Sequence, residues 1–269
     1  MPPSAPYPFV KVFGERGSGT NFLQQLIAHN FQAKIVPNIS GPTEDQRALI
    51  QTIPEDVRRP GQIAERIADY HHIEQMQRNA GWKHARLTDQ VFQIFRRAEK
   101  TLFLCILRHP ALWLRSFAKN PYHGFSAATA DLDQFLATPW VTRARDEVGP
   151  VLLESPVHLW RLKTESYLDQ AERRANVLVL RHEDFLVDHE ARLRALSAYL
   201  PGAADKWTLP EAYARRWLDR ARDFWSIRKD LPDDPFTTLS TDQVQHLRSR
   251  IGDDLIKRAG YGVPAGGAE

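Results

Sequence analysis

The chain has 269 residues, which suffices for one large α/β domain or two small ones. Its formal charge of +3 suits an anionic ligand, but the arginines are scattered among acids with no long basic block, so nucleic acid is not expected as a partner. The single cysteine, Cys105, excludes an intrachain disulfide and a four-cysteine zinc site; it reads as a small core residue, and no metal centre is expected.

The N-terminus has neither a basic stretch nor an apolar run of signal-peptide type, and no segment reaches the ~18 apolar residues of a membrane span, so a cytoplasmic protein is expected. In chain order, residues 9–13 (FVKVF) form a short apolar run that predicts a buried parallel strand. A helix is expected over 21–29, with Phe22, Leu23, Leu26 and Ile27 on one face. Residues 38–60 are polar and proline-punctuated, the start of an excursion from the sheet over about 38–80; its second part, 62–79, reads as helix. A weak strand is expected at 81–84, a helix at 88–98, a strand at 102–107 and a helix at 112–119. Further helices are expected at 157–174 and 191–199, around a strand at 177–180. The small, Gly-rich tail 264–269 is expected to fray. Alternating strands and helices predict an α/β fold, a three-layer, mostly parallel sheet flanked by helices, in a single domain.

The most informative stretch is VKVFGERGSGTNFL, residues 10–23. A strand, a tight glycine loop and a helix start can wrap backbone N–H groups around a phosphate. Gly14 and Gly19 satisfy the G-x-x-x-x-G spacing of a P-loop, but Thr20 stands where a Walker loop needs Lys, and Asn21 where it needs the hydroxyl that holds Mg²⁺. Phosphate binding without ATP's metal chemistry is therefore expected. A second anion site is read at Arg108, which leaves a strand at its carboxyl end, and Ser116, eight residues later on the following helix.

Together these pieces resemble the sulfotransferases that use 3′-phosphoadenosine 5′-phosphosulfate (PAPS). The family's 5′-phosphosulfate loop is similar to residues 14–23, with Ser18-Gly19-Thr20 at its core, and its 3′-phosphate signature is similar to Arg108 and Ser116. The strand and acidic segment at 177–185 and the pair Arg228-Lys229 resemble later motifs of the family. The family's Lys-x-His has a counterpart at Lys83-His84, although here the two residues are adjacent. Most members carry Lys directly before the loop serine; this chain has Gly17 there, with Arg16 one residue earlier, as in an Arg-x-Ser-Gly-Thr pattern.

The resemblance implies PAPS as co-substrate, 3′-phosphoadenosine 5′-phosphate (PAP) as product, and a hydroxyl or amine on a small molecule or glycan as acceptor. It implies that Arg16, Gly17, Ser18, Gly19, Thr20, Asn21 and Phe22 surround the 5′-phosphosulfate and adenine, and that Arg108, Ser116, Arg228 and Lys229 hold the 3′-phosphate. His84 is the expected general base, because an imidazole accepts a proton near neutral pH. Lys83 or Arg16 would balance charge on the leaving group, and Glu15 is the rival base. Phe22 has core packing as its second reading, and Phe117, Tyr122, Phe125 and Trp140 read either as an acceptor pocket or as core. His71-His72-x-Glu74 lacks the spacing of a helical zinc pair and reads as a solvated helix face. A P-loop kinase or NTPase, and a non-catalytic nucleotide-binding module, are the competing functions.

Overall fold

The computed structural model describes residues 5–54, 60–121, 131–210 and 224–263. The tail 264–269, and Tyr122 and Phe125, lie outside them. Its centre is a four-stranded sheet of β1 (Phe9–Phe13), β2 (Lys34–Ile35), β3 (Thr101–Leu107) and β6 (Val177–Arg181), in the order β2-β1-β3-β6. Each neighbouring pair is parallel; Phe9 stands beside Thr101 and Phe103 beside Val177. A separate two-residue antiparallel ladder joins β4 (Trp140–Val141) to β5 (Leu152–Leu153).

The period-2 alternation of the strands feeds two apolar layers. Val10, Val12, Leu102, Leu104 and Ile106 face one side, where they pack with Leu23, Leu26 and Ile27 of α1 (Thr20–Asn30) and with Phe185 and Leu193 of α8 (His182–Leu196). Phe13, Phe103, Cys105 and Leu107 face the other, against Trp113 and Phe117 of α5 (Pro110–Lys119) and Trp160 and Tyr167 of α7 (Val157–Arg173). Helices thus cover both faces of a parallel sheet, the three-layer α/β arrangement that the alternation of elements predicts. Cys105 is fully buried in this core.

The remaining helices are α2 (Glu44–Thr52), α3 (Pro60–Asn79), α4 (Asp89–Ile94), α6 (Leu132–Ala137), α9 (Phe224–Lys229), α10 (Thr241–Ile251) and α11 (Asp253–Arg258). The polar stretch after residue 38 is therefore partly helical: Thr43 and Gln46 close a reciprocal capping box that starts α2. The strand expected at 81–84 is a turn instead. Ala80 (φ 60°) and Gly81 (φ 73°) both adopt left-handed backbone, which no strand tolerates. The strand beside β1 is Lys34–Ile35, whose two residues are too few to show a period. Among the described residues, no helix is long and apolar enough to cross a membrane.

β1 lies between β2 and β3, so the chain leaves β1 toward one neighbour and later returns to the other. The carboxyl ends of β1 and β3 flank the point where the winding reverses, the place where open α/β sheets form their ligand crevice. Residues 14–19 and Arg108 emerge there.

Candidate anion site and proton-transfer group

The loop from Gly14 to Gly19 is bent by glycines that other residues could not replace. Gly17 (φ 82°) and Gly19 (φ 90°) are left-handed. A Cβ on Gly14 would lie 2.5 Å from the carbonyl oxygen of Ile106 in β3, and one on Gly19 would lie 2.5 Å from Cδ2 of His182. Gly19 is the N-cap of α1 and brings no side-chain acceptor, so the first-turn N–H groups of that helix depend on an outside partner. Ser18 and Thr20 are buried beside the loop, and Asn21 is exposed at its rim.

Two expected 3′-phosphate groups meet this loop. Arg108 donates from Nη1 to the carbonyl of Gly17 at 2.9 Å. The hydroxyl of Ser116 lies 3.4 Å from where a Cβ on Gly17 would be, so the residue at 17 must be small for α5 to come this close. Trp113 Nε1 donates to the Arg16 carbonyl and Trp160 Nε1 to that of Arg108, which fixes both backbones at the crevice. Arg228 and Lys229 are not drawn into this cluster. Both are exposed on α9, with the Arg228 guanidinium 5.6 Å from the ring centre of Trp225.

The turn at 81–84 closes the crevice from the side of α3. Its backbone is held at Gly81 N by the Asn79 side chain, at Trp82 N by Nδ1 of His72, and at Lys83 N by Oδ1 of Asn38. This is a turn and not a strand, so strand alternation does not set the directions of Lys83 and His84. The Lys83 ammonium reaches α1, donating to Oδ1 of Asn21 and, at 3.4 Å, to Oε1 of Gln24. His84 lies 2.6 Å through Nδ1 from the carbonyl oxygen of Gly14. A carbonyl only accepts, so Nδ1 carries the proton and the lone pair is on Nε2. Burial, then the charges of Lys83 and Arg16, push its pKa well below the ordinary histidine value, with the Gly14 carbonyl pulling the other way.

Beneath the loop is a buried charge cluster. The Glu15 carboxylate accepts from the Arg16 N–H at 2.6 Å and from the Lys163 ammonium. Lys163 also donates to Asp146 at 2.6 Å. Burial opposes ionisation of Asp146, but Lys163 and Arg16 outweigh it and hold the carboxyl below its usual range. The Arg16 guanidinium lies 4.4 Å from the Trp82 ring centre, that of Arg145 4.5 Å and the Lys163 ammonium 5.5 Å, so one indole carries three cations. Both oxygens of Glu15 are engaged inside this cluster, leaving it poorly placed to take a substrate proton. Lys163, Asp146 and Arg145 were not expected from sequence; a lysine on the apolar face of a helix, three residues after Trp160 and four before Tyr167, is the one signal available.

Phe22 is buried under α9, stacked 5.8 Å from Phe224, and 6.1 Å from the His182 ring. Phe117 and Trp140 are core residues, with ring centres 4.9 Å apart. His71 and His72 are buried rather than solvated: their rings meet the Ser40 carbonyl and the Glu147 carboxylate. No group of side chains able to hold a metal ion occurs among the described residues. No family model matches the chain, and no curated protein is significantly similar to it in sequence.

Proposed function

We propose that this chain is a PAPS-dependent sulfotransferase, which moves a sulfuryl group in line to a hydroxyl or amine acceptor. The observation that carries the proposal is the convergence on one glycine loop of a free-ended helix, Arg108 with Ser116, and an imidazole whose Nε2 is unprotonated. A 5′-phosphosulfate fits the loop N–H groups at the start of α1, and a 3′-phosphate fits Arg108 and Ser116.

In this reading the transferred group is loosely bonded in the transition state, and the protein positions it and balances charge. Lys83, held over the first turn of α1, supplies the cation that Gly17 does not, and Arg16 adds a second. Nε2 of His84 takes the acceptor's proton as oxygen or nitrogen attacks sulfur. The bond to the 5′-phosphate oxygen breaks, and PAP leaves.

Binding by PAP without added metal tests this directly. PAP at a hundredfold over its Kd should stabilise the protein by about 2.7 kcal/mol in thermal or chemical unfolding. PAPS should then sulfate one or more members of a panel of sugars, phenols and amines. Stabilisation by ATP·Mg²⁺ and none by PAP would instead indicate a P-loop NTPase; tight PAP binding with no turnover on any acceptor would indicate a binding module.

A further inference from the structure

Lys11 occupies the middle of β1, in a strand with hydrophobic residues on either side, and its side chain is wholly buried. Its Nζ donates to two main-chain carbonyls, Pro37 and Gly81, each at 2.9 Å. These carbonyls stand at the two ends of the excursion: the chain leaves the sheet at Pro37 and re-enters the crevice at Gly81. Two further bonds continue the strap toward the site. Gly14 N donates to the Lys83 carbonyl at 3.0 Å, and Nδ1 of His84 donates back to Gly14 O at 2.6 Å. The turn is thus fastened to β1 at Lys11 and to the first residue of the glycine loop at Gly14.

We propose that Lys11 is a positioning residue: its buried amine joins both ends of the excursion to β1 and so holds the Gly81–His84 turn, and the imidazole it carries, against the Gly14 carbonyl. A methionine or leucine here would fill the same space but leave the buried Gly81 carbonyl, and the part-buried Pro37 carbonyl, without this donor. The two carbonyls take two of the amine's N–H donors. Burial, and then the nearby Lys83 ammonium, push its pKa well below the ordinary lysine value. The consequence for catalysis rests on the sulfotransferase reading; the strap itself does not.

The experiment is hydrogen exchange and kinetics on the full chain carrying Lys11→Met. The Gly14 amide should exchange at least about tenfold faster than in wild type, while amides of the β1–β3 ladder keep their protection. PAP affinity should stay within about twofold, and PAPS turnover should fall by about a hundredfold, the scale of a catalytic group displaced by an ångström. Unchanged exchange at Gly14, or a PAP affinity lost in step with turnover, overturns the proposal. If wild type itself turns over no acceptor, the sulfotransferase reading fails and the exchange result alone decides the strap. Should Lys11→Met not fold, ¹⁵N NMR of the wild-type amine decides: slowly exchanging Nζ protons support the strap, and Nζ protons in fast exchange with water overturn it.

Discussion

Nδ1 of His84 lies 2.6 Å from the carbonyl oxygen of Gly14, which can only accept, so Nδ1 is the donor. This bond assigns the tautomer, and with it the direction of any proton transfer. It also joins the turn after α3 to the phosphate-type loop, so the group that would take a proton and the loop that would hold the transferred group share a peptide unit. A displacement of the loop moves both together.

His84→Ala should leave PAP affinity within about twofold and lower kcat by about 10²–10⁴, the range of a positioned general base. The wild-type kcat should fall on the acid side. Because burial and the charges of Lys83 and Arg16 depress this imidazole, the fall should lie below the ordinary histidine pKa of about 6.5. The acid limb should be absent in the variant. A wild-type kcat in His84→Ala, with loss in Lys83→Ala, would assign the essential role to the lysine.

Arg108→Ala should weaken PAP by about 1.5–3 kcal/mol, the worth of a hydrogen bond to a charged group, and adenosine 5′-phosphosulfate much less. Arg108 also donates to the carbonyl of Gly17, so some loss is expected for both ligands through the loop. The difference between them, read by calorimetry, measures contact with the 3′-phosphate. Equal losses would mean that Arg108 only shapes the loop.

Three of the four sheet strands, β1, β3 and β6, and the glycine turn after β1 were legible because local signals and tertiary demands coincide there. The run FVKVF, bounded by Gly14, can be little other than a short buried strand entering a turn. The turn at 81–84 was misread as strand because its backbone is set from outside, by Asn38, His72 and Asn79, which sit up to 45 residues away. Trp82 is buried among the cations of Arg16, Arg145 and Lys163, which come from other parts of the chain. The triad Glu15–Lys163–Asp146 was invisible for the same reason: its members are joined across 148 and 17 residues, and no spacing rule links them. Lys11 and Lys163 do share one sequence trait, a lysine at a position where the period demands an apolar residue.

Lys163→Met should destabilise the protein by about 3–5 kcal/mol, since it leaves Glu15 and Asp146 as buried carboxylates without their shared cation. Urea unfolding at pH 7 measures this. Glu15→Gln in the same background should recover part of the loss, because one of the two carboxylates that lose Lys163 is removed and the Arg16 guanidinium remains near the other. A loss under about 1 kcal/mol, the size of an exposed pair, would mean that water reaches the cluster.

His109 predicts a pH dependence of stability that is separate from the chemistry. It is the N-cap of α5, its Nδ1 accepting from the Ala111 N–H at 3.3 Å, and its ring lies 4.6 Å from Phe236 and 5.0 Å from Tyr261. Burial in this aromatic setting lowers its pKa to about 4, against a smaller opposing pull from Asp234. A histidine depressed on folding binds fewer protons in the native state than in the unfolded one, so its stabilising contribution is complete above the unfolded value of about 6.5 and is lost as pH falls toward the folded value. Between pH 7 and pH 5 this amounts to about 2 kcal/mol. His109→Asn keeps a capping oxygen near the Ala111 N–H and removes the titration. The variant should start less stable at pH 7, having lost the ring, yet lose about 2 kcal/mol less than wild type on going to pH 5. His84 and His182 are depressed in the same direction and act equally in both proteins, so they cancel in the comparison. Parallel stability curves for the two proteins from pH 7 to pH 5 would show that the His109 ring is already solvated.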